Sequence, residues 1–380
     1  MIYLDNSATS YPKPDCVTDS IKEIITKYGA NSGRGSYQMA LDTTEQIYLT
    51  RKSVADFFNI SKPEKVIFTY NCTTALNMAI KGVAKKGSHF IISNLEHNAV
   101  VRPLAKLKEK GICDYSVAKI ENDLYNTLRN FEKSIKRNTV AIICTGASNV
   151  FGIIPPYKSL SALAHKYNLV FILDYSQIAG VIPLDLNNKN IDVVCCSGHK
   201  GLLGLSGVGL LLINNDLIMN TIIEGGTGSN SENLIQPYGL PDRFESGTPN
   251  ITGIIALSKS IDYLKKIKLE NIYKHEIKLL KYLQYNLMNE RKIKLYTDLL
   301  NCKKVYAPIL SLNVENMHSE QVAAQLSEDG IAVRAGLHCA PLAHKSYNTI
   351  NTGTVRISPS VFTEKNQIDF LINSLRKIAK

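Results

Sequence analysis

The chain has 380 residues, 44% hydrophobic and 20% charged, the balance of a globular protein rather than of a disordered, collagen-like or coiled-coil chain. Its formal charge is +11, but the lysines are scattered, with no long basic tract and no aromatic RNA-binding pattern, so nucleic acid is not expected as a partner. No apolar run is long enough to span a membrane, and the opening MIYLDNSATSYPKPD has neither the basic nor the apolar region of a secretion signal, so neither a membrane nor export is expected. Pro12 and Pro14 mark the first turn, and a helical pattern follows over 15–28. A Gly/Ser loop over 29–36, with the turn Gly33-Arg34-Gly35, leads into a second helix ending near Phe58. Strands and helices then alternate: strand 65–69, helix 73–83, strand 89–93, helix 99–110, strand 140–145, helix 158–167 and strand 169–173. Strands 191–197 and 208–213 precede a long amphipathic helix over 254–267. A smaller α+β pattern follows: strand 309–314, helix 319–327, strands 332–334 and 354–358, and a last helix from Glu364.

Short apolar β-branched runs between helices predict an α/β fold with a mostly parallel, doubly covered sheet. The division expected is a large domain over 14–255 and a small C-terminal domain over 256–380, with 1–13 packing on the latter.

Eight cysteines lie at 16, 72, 113, 144, 195, 196, 302 and 339. There is no C-x-x-C, and the pair Cys196-x-x-His199 lacks a second pair, so no metal is expected. Most of the cysteines sit in apolar runs and read as small core residues in a reducing cytoplasm. Cys339 does not: it stands among Arg334, His338 and His344, a basic, loop-like setting expected to favour a thiolate.

Ligands of open α/β sheets bind at the carboxyl ends of the strands, and here five strands in turn end in polar residues. The endings include Thr73-Thr74, Glu96-His97-Asn98, Ser148-Asn149, Asp174-Tyr175-Ser176-Gln177 and Ser197-Gly198-His199-Lys200. Thr73-Thr74 opens a helix, where free amides and hydroxyls suit a phosphate dianion or a plain N-cap. Lys200, in a Gly-flanked turn after an apolar strand, is placed for desolvation and hence nucleophilicity. Asp174 at the end of an apolar strand needs donors or a cation, and a protonated pyridine nitrogen is one such cation. His97 suits ring stacking or proton transfer. Asn149 and Gln177 suit a phenolate oxygen, and Ser197 and His199 suit a phosphate. Together these are the parts needed to hold pyridoxal 5'-phosphate. No dinucleotide or P-loop motif competes with them.

These blocks resemble the class V aminotransferase family, in particular its cysteine desulfurases of the selenocysteine-lyase-like branch. The resemblance continues through Tyr3-Leu4-Asp5-Asn6-Ser7-Ala8-Thr9, Arg243-Phe244-Glu245-Ser246-Gly247-Thr248-Pro249-Asn250, Arg334-Ala335-Gly336-Leu337-His338-Cys339-Ala340 and Val355-Arg356-Ile357-Ser358. It implies a type I pyridoxal-phosphate-dependent fold and a homodimer. It also implies that Lys200 carries the cofactor, Asp174 faces its ring nitrogen and His97 stacks on the ring. Gln177 and Asn149 would then lie near the ring hydroxyl. Thr74, Ser197 and His199, with Thr248 of the partner subunit, would hold the phosphate. Arg356 would grip the substrate carboxylate, with Arg334 near the entrance, and Cys339 would form a persulfide. The implied reaction takes sulfur from L-cysteine, leaves alanine, and passes the sulfur to an acceptor protein or small thiol. The alternatives are a selenocysteine lyase or another class V pyridoxal-phosphate enzyme. Asn98 stands where the branch often has a second histidine, and Leu337 departs from an H-H-C block.

Overall fold

The computed structural model describes residues 1–33, 35–187, 190–300 and 305–380; Arg34 and Cys302 lie outside the described residues. The chain opens with a two-residue strand β1 (Ile2–Tyr3) and then builds β2 (Val66–Thr69), β3 (Ser88–Ser93), β4 (Cys113–Ala118), β5 (Thr139–Thr145), β6 (Val170–Asp174), β7 (Val193–Ser197) and β8 (Gly209–Ile213). Strands β2 to β8 form one sheet in the order β2-β8-β7-β6-β5-β3-β4. Strands β4, β3, β5, β6 and β7 run parallel, while β8 is antiparallel to both its neighbours.

Strand residues alternate between two cores. Ile91, Ile142, Phe171, Leu173 and Val194 face one side, against the helices Gln38–Phe58, Tyr157–Lys166 and Ile251–Ile267. Phe90, Ile92, Ile143, Ile172 and Val193 face the other, against Cys72–Val83 and Asn98–Glu109. Burial on both faces is why these strands read as unbroken apolar runs, each such side chain contributing about 1.5–3 kcal/mol. The register pairs Thr145 with Asp174 and Asp174 with Cys195, so β5, β6 and β7 end at nearly one level.

A second sheet holds β9 (Ile293–Leu295), β10 (Leu310–Val314), β12 (Arg334–Gly336) and β13 (Thr354–Ile357) in the order β12-β13-β10-β9, all antiparallel. β1 pairs in parallel with β11 (Ile331–Ala332), and Asp5 bridges to Ser358. The N-terminal segment therefore packs beside this second sheet.

Several elements differ from the sequence reading. The single helix expected over 15–28 is two, Asp15–Thr18 and Ser20–Lys27, and the Ser20 hydroxyl at the break donates to the Val17 carbonyl at 2.8 Å. The strand expected over 332–334 divides between β11 and β12, which pair with different partners. Strand β4 and the helices Leu124–Lys133, Leu269–Leu287 and Pro341–Ser346 had no counterpart in that reading.

Arg51 anchors the loop after β8 to the sheet. It meets Glu245 in a two-pronged pair at 2.7 and 2.9 Å, and the same carboxylate accepts the Phe68 amide at 2.7 Å. Arg51 also donates to the Val66 carbonyl. Glu245→Ala would leave that guanidinium buried without its anion, a loss of about 3–5 kcal/mol. The expected outcome is an earlier midpoint in urea unfolding; a wild-type midpoint would show that the pair contributes nothing net.

Candidate active site

The carboxyl ends of the parallel strands open into a pocket of about 550 Å³. Its lining includes Thr73, His97, Asn149, Asp174, Gln177, Ser197, His199 and Lys200, eight of the residues singled out in the sequence. Local geometry places each one. Gly180, at φ +81°, lets the turn after Asp174 touch the Lys200 turn: a Cβ there would lie 2.1 Å from the Gly201 carbonyl oxygen. Gly209 does the same for the loop before Thr73, since a Cβ would lie 2.3 Å from the Asn71 carbonyl carbon.

Asn71, not a threonine, caps the helix Cys72–Val83: its Oδ1 accepts the Thr74 amide at 2.9 Å and the Thr74 hydroxyl at 3.1 Å. Thr74 is thereby spent on the cap and lines a neighbouring groove, while Thr73 faces the pocket. Thr248 is exposed and lies outside the pocket lining. His97 caps the next helix, its Nδ1 accepting the Ala99 amide at 3.0 Å, which leaves the proton of the neutral ring on Nε2.

Burial dominates the charge states. It pushes the Lys200 amine down, against the opposing pull of Asp174. It lowers His97, again against Asp174, and takes His199 down to about 4. Asp174 accepts the Ser176 amide at 3.0 Å on Oδ1, and the Cys72 thiol lies 3.7 Å from the same oxygen.

Arg356, 2% exposed, stands behind the pocket. It donates to Asp5 Oδ1 at 2.7 Å and to the Asn149 carbonyl at 3.0 Å, while its Nε has no partner. Arg334 donates to the other Asp5 oxygen at 3.0 Å. Cys339 is exposed on a turn with φ +56°, and its carbonyl accepts the Asn98 amide at 2.7 Å. That bond docks the turn on the helix headed by His97. The basic setting expected around Cys339 is weaker than the sequence implied. Burial drives His338 down to about 2 and His344 to about 4, so both rings are neutral at pH 7. The Nε2 of His338 donates to the Thr354 carbonyl at 3.0 Å, and the Asn149 amide donates to the His338 carbonyl at 2.6 Å.

Sequence reasoning assigned no role to Asn71, Cys72 or Asp5. Asn71 had a usable signal, an N-cap residue ahead of an apolar helix. Asp5 had none, because its partners lie more than 300 residues away.

The pocket fits pyridoxal phosphate on its own chemistry. Asn149 Oδ1 and His199 Nδ1 are buried with no partner, and a lysine and a carboxylate stand in the same lining. Unpaired buried polar atoms of this kind require a partner that the protein does not itself supply. Among the described residues, no group of three or more His, Cys, Asp or Glu side chains could hold a metal ion, and no helix is long and apolar enough to cross a membrane.

This fold, with a lysine and an aspartate at adjacent strand ends, is that of the class V aminotransferases. The family's model matches residues 2–371, and the chain belongs to that family. Within it, the chain is 33% identical to a probable cysteine desulfurase of Methanothermobacter thermautotrophicus, covering 100% of this chain and 94% of the relative. It is 34% identical to a probable cysteine desulfurase of Pyrococcus abyssi, with the same coverage. The apo structure of the cysteine desulfurase from Thermococcus onnurineus NA1 superposes with a TM-score of 0.91 at 30% identity, covering 100% of this chain and 94% of that one.

Glu96 lies fully buried beside the site. Its Oε1 accepts the Ser93 hydroxyl and, at 2.8 Å, the Thr145 amide, while Oε2 has no partner. Burial raises its pKa from 4.5 to about 8, the two hydrogen bonds pulling the other way. The stability held by the neutral acid is therefore full below about pH 4.5 and is lost as the pH rises through about 8. Glu96→Gln cannot ionise. Melting temperatures at pH 6 and pH 9 should fall more for the wild type than for this variant; equal falls would show that Glu96 does not titrate there.

Proposed function

We propose that this chain is a pyridoxal-phosphate-dependent cysteine desulfurase that takes sulfur from L-cysteine and holds it as a persulfide on Cys339 for an acceptor. The observation that carries the reading is the joint placement of Lys200, Asp174 and the unpartnered Asn149 and His199 atoms in one pocket, beside the docked Cys339 turn. Residues fitted to hold the cofactor are Lys200, Asp174, His97, Gln177 and Asn149, with Thr73, Ser197 and His199 at the phosphate. Bound there, the cofactor supplies an electron sink for charge that develops on the substrate's Cα.

The chain's own groups do the rest. Lys200, its amine made less basic by burial, takes the proton from the substrate Cα. His97, with its proton on Nε2, acts as a donor over the pocket. Arg356 faces the substrate carboxylate with the Nε that the protein leaves unpaired. The Cys339 thiolate attacks the substrate sulfur: an S–S bond forms as the C–S bond breaks. The electron pair stays on carbon, which gains a proton and leaves as alanine. Cysteine and a thiol thus give alanine and a persulfide, with no outside oxidant or reductant.

Three further parts belong to the proposal. The division into 14–255 and 256–380 separates the cofactor site from the small unit bearing Cys339. A homodimer would bring Thr248 of the partner subunit to the phosphate, consistent with the exposure of that residue on one chain. Seven free cysteines among the described residues fit a reducing cytoplasm.

Two variants test the reading. Arg356→Lys keeps the charge and loses the planar fork; KM for cysteine should rise about tenfold, the loss of one charge-assisted hydrogen bond, at unchanged cofactor content. An unaltered KM would move the carboxylate site to Arg334. Cys339→Ser should keep the yellow colour and the cofactor content, yet release no alanine and show no added sulfur by mass spectrometry after incubation with cysteine. Wild-type turnover in this variant would overturn the persulfide mechanism.

A further inference from the structure

Cys72 opens the helix whose first turn lines the pocket, and it is buried. Its thiol lies 3.7 Å from Asp174 Oδ1. The Ser176 hydroxyl donates to the Cys72 sulfur at 2.8 Å, and the Ser176 amide donates to Asp174 Oδ1 at 3.0 Å. Three residues from two strand ends thus close a small ring of donors around one carboxylate oxygen. No hydrogen bond to Oδ2 is found among the described residues, and Asp174 lines the pocket.

We propose that Cys72 is a positioning residue: with Ser176 it pins Asp174 by Oδ1, leaving Oδ2 for the ring nitrogen of the cofactor, and its S–H sets how strongly that carboxylate attracts the ring proton. The inference rests on the cofactor reading above. Burial and the nearby Asp174 charge push the Cys72 thiol far up, so it stays protonated and able to donate at any working pH. The Ser176 hydroxyl, donating to the sulfur, polarises the S–H further toward Asp174. A carboxylate that accepts two donors on one oxygen is less basic at the other. Cys72 is therefore distinct in kind from Cys339: it is buried, kept as a thiol, and acts through Asp174.

The test is proton NMR of the ring N–H in protein loaded with pyridoxal 5'-phosphate, together with the visible absorption band and the urea midpoint. In Cys72→Ala the carboxylate loses a donor, Oδ2 becomes more basic, and the ring N–H resonance should move downfield. Cys72→Ser restores a donor and should return the resonance toward its wild-type position. Ser176→Ala should move it in the same direction as Cys72→Ala, by less. A resonance unmoved in Cys72→Ala, with a normal visible band, would overturn the inference, and a lower urea midpoint alongside it would mark Cys72 as a packing residue. Absence of both band and resonance in the wild type would defeat the cofactor reading, and this inference with it.

Discussion

The Asp5 carboxylate is the joint on which the rest of the site depends. It sits two residues past β1 and binds Arg334 with one oxygen and Arg356 with the other, at 3.0 and 2.7 Å. Arg356 then reaches the Asn149 carbonyl after β5, and the Asn149 amide reaches the His338 carbonyl next to Cys339. One acid from the start of the chain thereby ties the second sheet, the cofactor pocket and the cysteine turn into one geometry. An arginine as deeply buried as Arg356 cannot shed its charge, so it must be paired, and Asp5 is the pairing group. The pairing is incomplete by one nitrogen, the buried Nε.

Around this joint, desolvation rather than charge sets the chemistry. Burial is the leading cause of the shift at Lys200, His97, His199, His338 and Glu96, lowering the bases and raising the acid. The result is a pocket lined by neutral imidazoles and a lysine made less basic, with the protonated Glu96 carboxyl buried beside it. Such a medium strengthens the field of each fixed charge, which is what a carboxylate opposite a ring nitrogen requires.

Much of this was legible in the sequence because it is local. Apolar runs marked the strands, the polar residues that follow them marked the rim, and eight of those residues do share one pocket. What was not legible depends on packing at long range. The charge state of His338 and His344 follows from burial, which outweighs the opposing hydrogen bonds to Thr354 and Thr349, so two rings in a stretch that reads as basic are neutral. The choice between Thr73 and Thr74 depends on which residue caps the helix, and a shift of one position turned a side chain from the pocket to the cap. Strand β4 is half-exposed and sets Asp114 and Ser116 among its apolar residues, and the helix Leu124–Lys133 buries only Thr127 and Phe131, so their apolar pattern is thin. The resemblance to cysteine desulfurases supplied roles for Arg356 and Cys339, but the bonds that hold those residues in place are visible only in three dimensions.

The central claim is that Lys200, at the end of β7, is the residue that bears the cofactor. Borohydride reduction of the purified holoprotein, followed by digestion and mass spectrometry, tests it most directly. The account predicts a stable pyridoxyl adduct on the peptide containing Lys200 and its loss in Lys200→Ala. An adduct on a different lysine, or none in a protein that retains the visible band, would contradict it.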